Sequence, residues 1–181
     1  MDRRIKYTRM VLNDSLLHFL EEKDIAKITV KEICVNADVN RSTYYAHFSD
    51  PFDQLKKLKE ELIHDVTEFT LQIDTTRIPD GQHQYQILKS LLRYVDEKRH
   101  IFRTLLNKTG DRSLQEELLQ ILGEKVFPAD RSRTSSEDER KYRIIYATNG
   151  CFGMFYHWLM SENPISPDQL AQMMTDYTQT V

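Results

Sequence analysis

The sequence predicts an all-α protein with about nine helices, and three observations lead to this prediction. Along most of the chain, apolar residues recur at intervals of three and four, which is the spacing of one helical face. The 181 residues include only five glycines and five prolines, so tight turns are few. No segment keeps the alternation of apolar and polar residues that is typical of a half-buried strand.

The first three helices are predicted from residue spacing and from capping residues. Leucines at helical spacing predict a first helix over residues 3–22. Thr29 and Glu32 form a capping box, in which each side chain bonds the backbone amide of the other residue, so a second helix starts directly after Thr29. Asn40 is a good N-cap for a short third helix, from residue 41 to about residue 48.

The later helices follow from the same signals. Asp50 before Pro51 predicts the start of a fourth helix, and Ser166 before Pro167 predicts the start of the last one. Loops are expected at 74–83 and 128–136. The remaining predicted helices cover residues 84–98, 100–108, 111–126, 137–162 and 167–180.

Composition and charge exclude several classes of protein. The 25 basic and 28 acidic residues give a net charge of −3, which excludes a basic coat over the whole surface but allows a local basic patch. Two cysteines are too few for a disulfide framework or a four-cysteine zinc site. No apolar run is long enough to span a membrane, and no signal peptide is visible, so we expect no membrane association and a cytoplasmic location.

Motifs of catalysis are missing from the sequence. The six histidines lack metal-ligand spacing, so we expect neither a metal nor another cofactor. There is no glycine-rich phosphate loop and no nucleophile elbow. The chain is therefore predicted not to be an enzyme.

The informative stretch is residues 28–48, where two short capped helices are joined by a tight turn. This is the helix-turn-helix arrangement, whose second helix lies in the major groove of DNA. The second helix is rich in hydrogen-bond donors and amphipathic rings, as a reading helix requires. These side chains are Arg41, Ser42, Thr43, Tyr44, Tyr45 and His47.

The same stretch resembles the DNA-binding domain of the TetR/AcrR family of bacterial transcription regulators. The resemblance rests on Thr29-Val30, on Ala37-Asp38-Val39 and on the run Ser42–Phe48. The segments around 91–102 and 146–166 resemble the C-terminal region of a Firmicutes-type branch of this family, which includes activators of dihydroxyacetone-kinase operons. The resemblance implies a three-helix DNA-binding domain at 1–50 and a helical dimerisation and sensor domain at 51–181.

The resemblance also implies roles for single residues. Tyr45, His47 and Thr29 match phosphate contacts of the family. Arg41 is the first candidate for a guanine edge, because its guanidinium can donate to both O6 and N7. The positions of Lys31, Ser42 and Tyr44 are within reach of bases or nearby backbone.

One position departs from the family pattern. Members of the family usually carry a lysine at the start of the fourth helix, where it holds a phosphate, and this chain has Pro51. Lys56 and Lys57 are the candidates to replace that lysine.

Residues 142–160 are the most apolar stretch of the chain. They predict a helix with two roles: a dimer interface, where glycines allow a second helix to approach, and a small-molecule pocket. For the pocket we expect Phe152, Met154, Phe155 and Trp158. For the dimer interface we expect Tyr142, Ile145, Tyr146, Asn149, Gly153 and Tyr156.

Together these observations predict a homodimeric regulator that binds a palindromic site on double-stranded DNA and responds to a small ligand or a partner protein. The alternative is a DNA-bound adaptor that recruits another protein and has no small-molecule pocket. An enzyme with a vestigial helix-turn-helix is a third possibility, for which the sequence offers no site.

Overall fold

A computed structural model of the chain describes residues 3–72, 82–108, 112–127 and 136–179. Within these ranges there are nine α-helices and no strand, so the predicted fold class is confirmed. Nearly all of the two predicted loops, at 74–83 and 128–136, lies outside the described residues.

The helices begin and end close to the predicted positions. Two predicted helices are exceptions. The third helix, predicted to about residue 48, ends at Tyr45. In the helix predicted over 111–126, the α-helical part ends at Ile121 and a π-helical turn, Leu122–Val126, follows. A short 3-10 turn, Ile25–Lys27, lies between the first two helices. The helices are α1 (Arg3–Glu22), α2 (Val30–Asn36), α3 (Arg41–Tyr45), α4 (Pro51–Gln72), α5 (His83–Glu97), α6 (Arg99–Lys108), α7 (Ser113–Ile121), α8 (Glu137–Met160) and α9 (Pro167–Gln179).

Both predicted caps of the helix-turn-helix segment are present. The Thr29 hydroxyl accepts from the Glu32 amide at 3.3 Å, and the Glu32 carboxylate accepts from the Thr29 amide at 3.0 Å. The Asn40 side chain accepts from the Ser42 amide at 3.1 Å. α2 and α3 therefore start where the sequence predicts, because side chains satisfy amides that have no partner inside the helix.

The described chain divides into two compact units. One is built from Met1–Leu62 and Thr104–Asp111, the other from Ile63–Arg103 and Arg112–Val181, so α4 and α6 contribute to both. The division thus falls inside α4. The cause is that the first turns of α4 bond to α1: the Gln54 amide donates to the Leu12 carbonyl at 2.8 Å.

The core of the first unit joins α1, α2 and α4. Leu12, Leu16 and Ile33 are fully buried, and Leu62 is nearly so. The buried Ser15 hydroxyl donates to the Ile33 carbonyl at 3.1 Å, which ties α1 to α2. Burial of these apolar side chains fixes the helix-turn-helix on the surface of α1 and α4.

In the second unit, α5 and α9 run antiparallel. Near one end of the pair the Gln84 amide donates to the Thr178 hydroxyl at 2.7 Å. Near the other end, Arg93 makes two 2.8 Å bonds to the Asp168 carboxylate, and Lys89 pairs with the same carboxylate at 2.9 Å. The two-pronged arginine contact fixes the register of the two helices.

The C-terminal end of α8 is held by Arg99. Its guanidinium donates to the carbonyls of Trp158 and Leu159 in the last turn of the helix, at 3.0 and 2.8 Å. The guanidinium also stacks over the Trp158 ring, with 4.1 Å between its carbon and the ring centroid. This contact fixes α8 relative to α6 within the second unit.

Candidate DNA-binding site

The turn between α2 and α3 has a fixed geometry. Asp38 has a φ of 52°, in the left-handed region that Asp and Asn enter more readily than most residues. The next amide, of Val39, donates to the Cys34 carbonyl at 2.9 Å. The turn spans the four residues 37–40 and sets the direction in which α3 leaves α2.

Most of the predicted DNA-contacting side chains reach the surface of the first unit. Five are exposed and two are half-buried, which leaves one buried. The exposed ones are Thr29, Lys31, Arg41, Ser42 and Tyr45, and the half-buried ones are Thr43 and His47.

Tyr44 is the residue whose prediction the structure corrects. Its side chain is 0% exposed, whereas that of Tyr45 is 58% exposed. The Tyr44 ring packs against Phe48, with centroids 5.7 Å apart, and burial raises the pKa of its hydroxyl well above the ordinary value. Tyr44 is therefore a core residue of the helix-turn-helix, and its ring is not available to a base edge.

A lysine that the sequence analysis missed stabilises the start of α2. Lys23 donates to the Glu32 carboxylate at 2.6 Å, and the Thr29 hydroxyl donates to the same carboxylate at 2.8 Å. These bonds lower the pKa of Glu32 from 4.5 to about 2, with the Lys23 bond as the largest cause. The pairing offsets a negative charge close to the expected phosphate contact at Thr29.

The candidate dimer face is open in the second unit. All six residues expected there are exposed, including Tyr142 at 69% and Tyr146 at 64%. A side chain added at Gly153 would meet no described atom within 4 Å, so the space beside this glycine is open within the chain. On α9, Met173 and Tyr177 are exposed as well.

An apolar cavity lies on the opposite, buried side of α8. Its empty space is about 510 Å³ including the open mouth, and Phe152 and Phe155 line it together with residues of α4, α5, α7 and α9. The lining includes Cys151, whose pKa burial raises to about 12, so the thiol is neutral.

Two of the four residues expected in the pocket, Met154 and Trp158, do not line this cavity. The Trp158 indole donates instead to the Ile165 carbonyl at 2.8 Å, which bonds the end of α8 to the segment before α9.

The sequence of residues 82–180, more than half of the chain, matches the family described as the TetR-type transcriptional regulator C-terminal region. The chain belongs to the TetR family of transcriptional regulators. The resemblance predicted from residues 28–48 and from the C-terminal segments is thereby confirmed.

Relatives of this TetR-family chain agree with the assignment. It is 25% identical over 171 residues to an uncharacterized HTH-type transcriptional regulator, YxbF, of Bacillus subtilis (strain 168). The match covers 89% of this chain but 42% of that protein, so the chain spans less than half the length of this relative.

Two solved structures have a similar fold. A TetR transcriptional regulator from Streptococcus agalactiae 2603V has a TM-score of 0.66 at 20% identity, with 98% of this chain and 96% of that chain covered. The dihydroxyacetone kinase operon activator DhaS has a TM-score of 0.64 at 19% identity, with 96% and 94% covered.

The described ranges of this TetR-family chain contain no group of three or more His, Cys, Asp or Glu side chains that could hold a metal ion. None of their helices combines the length and the apolar character that crossing a membrane requires.

Proposed function

We propose that the chain is a DNA-binding regulator that acts as a homodimer on a palindromic operator in the bacterial cytoplasm, without enzymatic activity. Residues 1–50 read the DNA, and residues 51–181 dimerise and receive a signal. The observation that carries this proposal is the set of exposed donors on α3, Arg41, Ser42 and Tyr45, on a helix that Asn40 caps and a buried tyrosine anchors.

The proposed contacts fall into two groups. Arg41 reads a guanine edge, and Ser42, Thr43 and Lys31 reach bases or the backbone beside them. Tyr45, His47 and Thr29 hold phosphates, which set the position of α3 on the duplex but carry no sequence information.

The proposed dimer uses the exposed face of α8 and α9. Large exposed apolar side chains on neighbouring helices are uncommon on monomeric proteins, and a twofold axis lets the same face cover itself. The resulting dimer presents two copies of α3, as a palindromic site requires, about 34–36 Å apart or one turn of DNA. Tyr142, Ile145, Tyr146, Asn149, Gly153 and Tyr156 of α8 form this interface.

The proposed signal acts on the second unit. The cavity beside Phe152 and Phe155 favours a neutral, largely apolar small molecule, because its lining offers neither a charge nor a strong hydrogen-bond donor. Control by a partner protein is the alternative, and native mass spectrometry of the purified protein distinguishes the two by the mass of a retained small molecule.

Selection from sheared genomic DNA tests the proposed function. Wild-type protein should enrich fragments that share a palindrome, and its affinity should fall steeply with salt because phosphate contacts release counterions. The sequence preference of the enriched sites should change when Arg41 is replaced by alanine. Enrichment of no sequence at low salt would contradict the proposal.

A further inference from the structure

The turn between α3 and α4 is held by a lysine of α4. The Lys57 ammonium donates to the His47 carbonyl at 3.0 Å and to the Asp53 carboxylate at 2.9 Å. The His47 carbonyl lies just beyond the C-terminal end of α3, where backbone carbonyls have no partner inside the helix. Lys57 therefore binds the end of α3 directly.

Asp53 completes the same contact. Its carboxylate accepts from the Ser49 amide at 2.9 Å, and the Asp50 side chain accepts from the Asp53 amide at 2.9 Å. The bonds to Ser49 and Lys57 lower the pKa of Asp53 below its ordinary value, so it carries its negative charge at neutral pH. Two side chains of the first turns of α4 thus bond the segment that follows α3: Lys57 bonds the His47 carbonyl, and Asp53 bonds the Ser49 amide.

The neighbouring Phe48 side chain is fixed by cations from two helices. The Arg9 guanidinium and the Lys57 ammonium lie 5.8 and 5.7 Å from the centre of its ring. Arg9 is paired with Glu61, as Lys57 is with Asp53. Phe48 is therefore held between α1 and α4. Lys57 contacts both the Phe48 ring and the His47 carbonyl.

These contacts bear on the position where the family usually has a phosphate-binding lysine and this chain has Pro51. Lys56 is 74% exposed and lies 3.7 Å from Glu60 of its own helix, whereas Lys57 is directed to the end of α3. We propose that Lys57 is a positioning residue, which orients α3 for base reading by holding the His47 carbonyl and does not contact a DNA phosphate. This inference rests on the proposed function of the first unit.

The two roles of a lysine have different signatures in DNA binding. A phosphate contact weakens operator and random DNA alike when it is lost, and the slope of log affinity against log salt falls by about one. A positioning contact changes the orientation of base-reading side chains. Its loss lowers the preference for the operator and leaves the slope unchanged.

The experiment compares Lys57→Met with Lys57→Arg and Lys56→Met on the selected operator and on a random duplex at several salt concentrations. Methionine keeps the side chain as far as the ε-carbon but removes the donor, and Lys56→Met removes the same charge one residue earlier. We expect Lys57→Met to lower operator affinity about three- to tenfold more than Lys56→Met. Its affinity for the random duplex and its salt slope should match those of Lys56→Met, and Lys57→Arg should restore operator preference.

A DNA-free measurement accompanies the titrations. The carbonyl-carbon NMR shift of His47 should move in Lys57→Met and return towards the wild-type value in Lys57→Arg. A slope that falls by about one only for Lys57→Met, or an operator preference equal to that of Lys56→Met, overturns the positioning role. A wild type that selects no duplex removes the proposed function itself, and the positioning role falls with it.

Discussion

Two neighbouring tyrosines of α3 have opposite environments. Successive residues of a helix point about 100° apart, so when the Tyr44 ring enters the core, that of Tyr45 faces outward. The Tyr44 hydroxyl is buried without a hydrogen-bond partner among the described residues. In a helix of only five residues, which tyrosine is buried depends on which ring packs beside Phe48. Residue spacing alone does not predict this.

Substitutions at the two tyrosines should separate stability from DNA binding. Tyr44→Phe removes a buried hydroxyl that lacks a partner, so we expect stability to rise by about 1 kcal/mol with unchanged operator affinity. Tyr45→Phe removes an exposed donor, so operator and random DNA should both bind more weakly at unchanged stability. Urea denaturation and fluorescence anisotropy measure the two effects. A large loss of DNA binding in Tyr44→Phe would restore it to the DNA-contacting set.

In the proposed function, Arg41 is the residue on which base reading chiefly depends. Arg41→Ala should lose about 1–3 kcal/mol of operator binding and relax the preference at one base position in each half-site. Repeated selection with the variant measures this directly, and Arg103→Ala, which removes the same charge at an exposed position of α6, is the control. An unchanged site preference in Arg41→Ala would contradict its base-reading role.

At the scale of single elements, helix starts are more predictable than helix ends. The caps at Thr29 and Asn40 act within three residues, so the sequence alone identifies them. Lys23 joins the capping box through a contact set by the path of the chain between α1 and α2, which no local pattern encodes. Gly123, a poor helix former, lies in the π-helical turn that interrupts the helix predicted over 111–126.

The capping box should contribute to stability against acid. Glu32 has a pKa of about 2 in the folded chain against 4.5 ordinarily, so its contribution is complete above about pH 4.5 and is lost as the pH falls towards 2. Glu32→Gln keeps the cap but removes the charge. Between about pH 6 and pH 3 its melting temperature should fall less than that of the wild type.

The control for this comparison is Glu116→Gln, at an exposed position in the first turn of α7. It should lose stability with acid as the wild type does. Equal acid sensitivity in Glu32→Gln and the wild type would show that the bond from Lys23 does not contribute to folding.

At the scale of the whole molecule, the sequence predicts the family and the all-α class, and the expected functional boundary at residue 50 stays a prediction. α4 continues its apolar spacing without a break from Leu55 to Val66, although contacts assign its first part to one unit and its last part to the other. Periodicity reports that a face is buried and does not identify what covers it. Three aromatic residues of α8 are an example. All three are buried, but Phe152 and Phe155 line the cavity, whereas Trp158 bonds to the segment before α9.

The proposed dimer predicts a strong effect of a charge at its centre. Gly153→Glu places an unpaired carboxylate where two copies of α8 meet, so self-association should weaken by at least about a hundredfold and specific DNA binding should be lost with it. Gln120→Glu, on the exposed side of α7, adds the same charge and should leave both unchanged. A dimeric Gly153→Glu protein would place the interface elsewhere.

Sedimentation equilibrium of the wild type, alone and with the selected operator, tests the central claim most directly. We expect a species of twice 21.5 kDa at micromolar concentration, and two chains on each duplex, because a palindrome needs two copies of α3. A monomer of 21.5 kDa that binds the palindrome tightly as a single chain would contradict both the interface on α8 and α9 and the twofold reading of the operator.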